Sequence, residues 1–477
     1  MIEQNINQNQ KKINFSKNYS EDETKKVIEF IKKLNKLIPQ NMPENYKERT
    51  ADFSRIRKLP FKVTVIFIIF SIGIQLKRGI DHIYNLFVDN GGYNFFKNKK
   101  LKFVNRSAIT NARKKISWEC IRNIYRSIIN LIKKSEQFLV NDLKWKGLNV
   151  YAIDGSKITL PANKEIQENF DPHSGHENKN GQGYYPKCLI VTLYEVLKGI
   201  PIEMIVAPSR ANERKEALKL LDYVEENDII IFDRGYPWYV LICDMLHKKN
   251  HFLIKCQSKG SFKSVDQFFN SKRNDDIIRI KKPAHMVGDF EMYPKYIDVR
   301  AIKVKTSDEK MFVLITDLMD YDKYKTHEII ELYNRRWEIE LHFRDEKITL
   351  EIEKFHSKSV NGILQELYAA IIILAITRMI IIYTKYQDIY KRKKGEFQFR
   401  NAISCVSKFL YILYLSTIPK KKERLIKKCI ELIERISEKR YYKPKKPRKP
   451  QPRINKSATN KWIMARLRKE NEKKNIA

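Results

Sequence analysis

Two kinds of apolar patterning divide this chain. In its middle, short runs rich in Ile, Val and Tyr are bounded by Asp, Gly, Asn or Lys, which is the signature of buried strands. They are Asn149 to Asp154, Cys188 to Val196, Ile202 to Ala207, Asp228 to Asp233 and Phe252 to Cys256, with a helical pattern at Asn212 to Val224. Towards both ends the apolar residues recur at helical spacing instead. Ser20-Glu21-Asp22-Glu23 reads as a capping box that opens a helix to about Leu37. A second helix is predicted over Phe61 to Val88, before the Gly91-Gly92 break, and further helices over Asn401 to Lys439. A third pattern lies at Gln257 to Lys310, where apolar and charged residues alternate, as in Ile277-Ile278-Arg279-Ile280 and Tyr296 to Val304. Alternation of that kind predicts antiparallel strands with one solvated face, hence a β-rich insertion.

Two longer apolar runs bear on location. Val63 to Leu76 falls short of the roughly 17 residues that a membrane span needs, and Tyr368 to Tyr383 is interrupted by Arg378. Both are predicted to be buried helices. Met1 to Tyr19 is polar, without the apolar core of a signal peptide, so a cytoplasmic protein is expected, with no membrane partner. Cys120, Cys188, Cys243, Cys256, Cys405 and Cys429 are scattered and show no zinc-site spacing, which predicts free thiols in a reducing compartment.

Charge narrows the partner. The chain carries 93 Lys and Arg against 56 Asp and Glu, a net charge of +37, the footprint of a polyanion binder. Arg106 to Lys115 is a short basic stretch with hydroxyl and amide side chains, suited as a helix to a major groove. Arg440 to Lys474 is a basic tail in which Pro444, Pro447, Pro450 and Pro452 exclude a regular helix, leaving an extended segment able to follow a phosphate backbone.

The chemistry is carried by two Asp-ended apolar runs and one polar stripe. Val150 to Ser156 and Ile229 to Tyr236 share a grammar, an apolar run ending in Asp and a Gly-containing turn, which places Asp154 and Asp233 at strand ends, where α/β sheets hold their sites. On a helix, Tyr333, Arg336, Glu340 and Lys347 fall within roughly 40° of one another. A carboxylate flanked by two cations and a phenol suits a phosphodiester held near a metal ion. Adjacent carboxylates repel and are costly to desolvate, and a divalent ion relieves both costs. Asp154, Asp233 and Glu340 make an oxygen-only set suited to Mg²⁺, for which Mn²⁺ can substitute. Glu338 lies across the helix from Glu340, and Asp345 and Glu346 more than about 100° away, so these are expected at solvent or in helical ion pairs. Asp171, Asp222 and Asp228 end no apolar run, and Glu195 sits within a strand as a candidate supporting group.

These residues resemble the DDE transposases of bacterial insertion sequences, in the large family with the Tyr-x2-Arg-x3-Glu-x6-Lys signature. The signature spacing is met at every position from Tyr333 to Lys347, and Asp154-Gly155-Ser156 and Asp233-Arg234-Gly235-Tyr236 resemble the family's two Asp motifs. Pro186 to Glu213 is similar to the strand pair and polar turn between them. The resemblance implies an α/β chain with a ribonuclease H-like catalytic core, metal binding by Asp154, Asp233 and Glu340, and phosphate contacts from Tyr333, Arg336 and Lys347. It implies a helical DNA-binding region over 1–145, the core over 146–256 and 311–400, the insertion over 257–310, and a helical region with the basic tail over 401–477. The expected function is binding of double-stranded DNA at terminal inverted repeats, cleavage there, and joining of the 3′ hydroxyl to target DNA by a homodimer. The alternatives are a nuclease of the same fold without strand transfer and a catalytically silent DNA-binding repressor. Relatives with such an insertion cut through a DNA hairpin and hold a flipped base on an insertion aromatic. Trp118, Trp145, Trp238, Trp337 and Trp462 all lie outside the insertion here, a departure that sets a hairpin route in doubt.

Overall fold

The computed structural model describes residues 21–432, with omissions of which the longer ones are 74–79, 90–103, 136–142, 173–184, 287–291, 392–398 and 410–422. The basic tail at Arg440 to Lys474, Ser20 and the Gly91-Gly92 break therefore lie outside the described residues.

Apolar runs in the middle of the chain form one eight-stranded sheet: β1 (Val150–Thr159), β2 (Lys187–Glu195), β3 (Ile200–Pro208), β4 (Ile229–Phe232), β5 (His251–Cys256), β6 (Asp275–Lys281), β7 (Tyr296–Lys305) and β8 (Met311–Thr316). The strand order is β3-β2-β1-β4-β5-β8-β7-β6. β1, β4 and β5 run parallel, and β2 and β3 form antiparallel hairpin partners on the β1 side. That arrangement is the ribonuclease H-like core expected from the sequence. The predicted insertion supplies β6 and β7 but also a helix, Lys263–Asn270, and its strands continue the core sheet through β8 on β5.

Strand parity sorts the side chains into two cores. Val150, Ala152, Ile229, Ile231 and Leu253 face one cluster with α10 (Thr326–Asn334) and α11 (Trp337–Arg344). Tyr151, Ile153, Ile230, Phe232, Phe252 and Ile254 face the other, with the helical bulk of the chain. That bulk comprises α1 (Glu21–Leu37), α2 (Phe61–Gly73), α3 (Ile80–Asp89), α4 (Arg106–Lys114), α5 (Trp118–Lys133), α6 (Lys164–Phe170), α7 (Glu213–Leu218), α8 (Tyr239–His247), α9 at Lys263–Asn270, α12 (Val360–Lys391) and α13 (Phe399–Phe409). Phe61 to Val88, predicted as one helix, is two, and Asn212 to Val224 shortens to α7 and a 3-10 turn at Leu221–Tyr223.

Both long apolar runs are core helices. Every residue of α2 is buried. In Val360–Tyr383, the one described segment long and apolar enough to cross a membrane, 89% of an 18-residue apolar window is buried within the protein. α12 packs on α5 through a stacked Trp118–Tyr368 pair at 5.7 Å, and the Tyr368 hydroxyl donates to the Met204 carbonyl of β3. At its start Glu366 accepts from Arg113 of α4 at 2.9 Å, with both side chains buried. Arg106–Lys114 is helical as predicted, with Arg113 buried and Arg106, Asn111 and Lys114 exposed. All six cysteines are free and buried, as expected.

Candidate active site

β1 and β4 pair in parallel register up to Ala152↔Ile231, so two residues further along both strands stand Asp154 and Asp233, level with each other. Parity gives both the orientation of Ala152 and Ile231, towards the face that α10 and α11 cover. One expectation is corrected here. β1 does not end in a turn at Asp154; it runs on to Thr159, held by β2 throughout, with Asp154 opposite Thr192. What ends at that level is the parallel pairing with β4, and the opening between the diverging chains holds the carboxylates.

The polar stripe comes from a broken helix rather than a straight one. α10 ends at Asn334, α11 begins at Trp337, and Asp345–Thr349 form a single π-helical turn. Tyr333, Arg336 and Lys347 nevertheless all meet the Asp strands or the turn after them, and Glu340 is joined to them through Arg336. The Tyr333 hydroxyl donates to Asp233 Oδ1 at 3.4 Å. Arg336 Nη2 donates to Glu340 Oε1 at 2.7 Å, while its Nη1 lies 3.8 Å from Asp154 Oδ2. Lys347 Nζ donates to Ser156 Oγ at 2.7 Å, which the widened π turn makes possible by carrying the Lys over β1. Each residue singled out from the sequence is thus joined by a named contact to an Asp strand or to a residue that touches one.

Electrostatics mark Asp154 as the unsettled member. Burial pushes its carboxyl up from 3.8 to about 7; the Gly155 N–H and Arg336 oppose the shift, and Glu213 and Asp233 add to it. Burial also raises the Tyr333 phenol. Lys255, at the end of β5 and with the parity of Leu253, belongs to the same pocket of charge. Burial lowers its ammonium, Asp233 and Glu340 favour its charge, and Arg336 and Arg234 oppose it. Sequence reading missed Lys255; a strand-end Lys level with Asp233 was the available signal.

Among the described residues, no group of three or more acidic, imidazole or thiol side chains forms a ready ion cage. The guanidinium of Arg336 spans Asp154 and Glu340 instead, a monocation where the carboxylates call for positive charge. The donor set of Asp154, Asp233 and Glu340 is oxygen-only, the donor chemistry that a hard divalent ion takes.

The other acids fall away from this cluster. Glu195 is fully buried against Lys198 Nζ at 3.2 Å near the start of β1, so it does not support the Asp pair. Asp228 accepts from Asn149, Asp171 from the Lys187 N–H, and Asp222 from Lys248. Glu338 is half-buried. Of the placements expected for Asp345 and Glu346, solvent or a helical ion pair, Glu346 takes the second with His342 four residues before it, whereas Asp345 faces Arg378 of α12. Glu346 has 0% exposure and lies 3.3 Å from His342, which stacks on Tyr194, and Asp345 lies 3.7 Å from Arg378.

A cavity of about 330 Å³ adjoins the Asp233 turn, lined by Arg214, Arg234, Trp238, Gln257, Phe262 and Met286. Trp238, although outside the insertion in sequence, meets insertion residues there.

Residues 145–376 match the family described as "Transposase DDE domain", and residues 29–126 match "Insertion element 4 transposase N-terminal". The chain is 22% identical over 280 residues to "Transposase InsG for insertion sequence element IS4" of Escherichia coli K12, covering 58% of this chain and 61% of that relative. It is also 22% identical over 263 residues to "Putative transposase for insertion sequence element IS4SA" of Synechocystis, covering 54% and 68%. A solved structure of the piggyBac transposase synaptic complex with hairpin DNA aligns over 84% of this chain and 82% of its own, with a TM-score of 0.41 and 12% identity. The match spans about three-fifths of the length of the Escherichia coli relative.

Proposed function

Since the chain belongs to the DDE transposases of the insertion-sequence-4 type, we propose that it binds the terminal inverted repeats of its own element, cleaves DNA at their ends and joins the freed 3′ hydroxyl to target DNA. The observation that supports this reading is that Arg336 contacts both Asp154 and Glu340 while Tyr333 contacts Asp233, whose strand register sets it level with Asp154.

Asp154, Asp233 and Glu340 would hold divalent metal, Mg²⁺ with Mn²⁺ as a substitute. When bound, such an ion lowers the pKa of a nucleophilic water or hydroxyl and stabilises the leaving oxygen in an in-line displacement. The remaining chemistry belongs to the chain's own groups. Arg336 counters the charge of Asp154 and Glu340 and, with a phosphate present, is placed to share its guanidinium between carboxylate and phosphodiester. Lys347, anchored on Ser156, presents an ammonium at the other side of Asp154, suited to a non-bridging phosphate oxygen. Tyr333 fixes the carboxylate of Asp233 through its hydroxyl and closes that side against water. Two ends must be paired for transposition, so a homodimer in the DNA complex follows from the symmetry of the task.

The test is incubation of the purified protein with a DNA fragment carrying its flanking end, in Mg²⁺ and in EDTA, with products resolved on denaturing gels. Metal-dependent cutting at the end followed by joined product supports the proposal, and the product also shows whether a hairpin forms. Cutting without joining would replace it by a nuclease, and binding without cutting by a silent DNA-binding protein.

A further inference from the structure

α7 approaches the two Asp motifs from the side of the sheet opposite to α10 and α11. Gly155 has the parity of Ile153, and Ala217 of α7 packs in the same core as Ile153. Asn212 caps α7 by accepting from the N–H groups of Arg214 and Lys215. The first residue of the helix, Glu213, then lays its carboxylate directly over Gly155. A methyl group at 155 would stand 2.5 Å from Glu213 Cδ and 2.7 Å from its Oε1, so the approach depends on glycine. Glu213 Oε1 accepts from the Tyr236 hydroxyl at 2.5 Å, and Tyr236 is buried. The Tyr236 N–H donates to the Asp233 carbonyl, closing the turn that carries Asp233. The next residue, Arg214, donates from Nε to the Gly235 carbonyl at 2.8 Å, gripping the same turn a second time.

We propose that Glu213 is a positioning residue that ties the Asp154 strand to the Asp233 turn and so fixes the separation of the two carboxylates that receive metal. It acts through Gly155 and Tyr236, not on substrate. The reason for a third element is geometric. β1 and β4 stop pairing at Ala152↔Ile231, so no backbone hydrogen bond of the sheet controls the distance between Asp154 and Asp233. Two like-charged side chains beyond the last ladder bond would spread. Glu213 and Arg214 replace the missing ladder contacts from behind, leaving the α11 face free for metal and DNA. A carboxylate serves this role better than an amide, because an ionised acceptor makes the shorter and stronger bond to a phenol.

This inference rests on the metal-binding reading of Asp154 and Asp233, and its test separates the two. Mn²⁺ binding to the full-length protein would be measured by electron paramagnetic resonance, without DNA, for Asp154→Asn, Glu213→Ala, Glu213→Gln, Tyr236→Phe and Gly155→Ala, with thermal melting to confirm folding. Outer groups that orient ligands typically change metal affinity by about 10- to 100-fold. The expected result is a loss of about tenfold in Mn²⁺ affinity for Glu213→Ala, Tyr236→Phe and Gly155→Ala, with most affinity kept in Glu213→Gln, which still accepts from Tyr236. Folded Glu213→Ala and Tyr236→Phe proteins with unchanged Mn²⁺ affinity, beside a weakened Asp154→Asn, would overturn the positioning role alone. Unchanged affinity in Asp154→Asn as well would overturn the metal reading beneath it.

Discussion

Asp154 holds a charge that folding opposes, so replacing it should make the metal-free protein more stable. Its carboxyl titrates at 3.8 when exposed and at about 7 in the folded chain, with burial as the largest cause. A group whose folded pKa is raised stabilises the folded state only while it keeps its proton; that contribution is complete below the unfolded value and is lost as pH rises through about 7. At 1.36 kcal/mol per unit, the shift corresponds to a cost of about 4 kcal/mol near pH 8, of which less than about 2 kcal/mol is already present near pH 5. The side chain retains 22% exposure, so solvent makes these figures upper limits. Asp154→Asn removes the titration but keeps an oxygen to accept from the Gly155 N–H, the bond that Asp154 Oδ1 makes at 2.9 Å. Urea unfolding in EDTA should therefore show the variant gaining roughly 2 kcal/mol more over the parent near pH 8 than near pH 5. Excess Mg²⁺ should erase that advantage by stabilising the parent alone. An advantage equal at both pH values, or a variant less stable than the parent near pH 8, would refute the assignment of strain to this carboxyl.

Three further outcomes are expected. Asp233→Asn and Glu340→Gln should abolish cleavage of an end fragment while leaving its binding within about threefold by gel shift, as expected of groups that hold metal rather than DNA. Arg336→Ala leaves the carboxylates of Asp154 and Glu340 without their shared cation and should cost at least about 100-fold in cleavage rate at saturating DNA. Burial raises the Glu366 carboxyl, but Arg113 and His356 outweigh that and hold it at about 2, so its contribution to stability is complete above about 4.5 and lost only as pH falls towards 2. Arg113→Met, which strands that buried charge, should lower unfolding free energy by about 3–5 kcal/mol at neutral pH by urea titration.

Legibility in the sequence followed the range over which each cause acts. The Asp strands were readable because apolar runs and a bounding carboxylate are local, and the spacing of Tyr333 to Lys347 was readable although Arg336 lies in the gap between the two helices and Lys347 within the π turn. The same interruptions were invisible beforehand, which is why the full burial of Glu346 against His342 could not be read from helical spacing. The continuation of β1 through Gly155 depends on its partner β2, and a Gly-Ser pair reads locally as a turn. Glu213 carried no local signal at all. Its importance comes from meeting Gly155 and Tyr236, whose positions are set by strands on either side of it in sequence.

The insertion shares hydrogen-bond ladders with the core, since β8 pairs with β5 over Leu253 to Cys256 and with β7 over Arg300 to Lys305. It cannot hinge open and shut as a separately folded flap would, because such a swing requires breaking a run of cross-strand bonds. Protection against amide exchange should pass without a step from β5 through β8 into β7, with all three strands opening as one cooperative unit. On the proposed function, DNA entering the site would meet a wall held in place by those ladders.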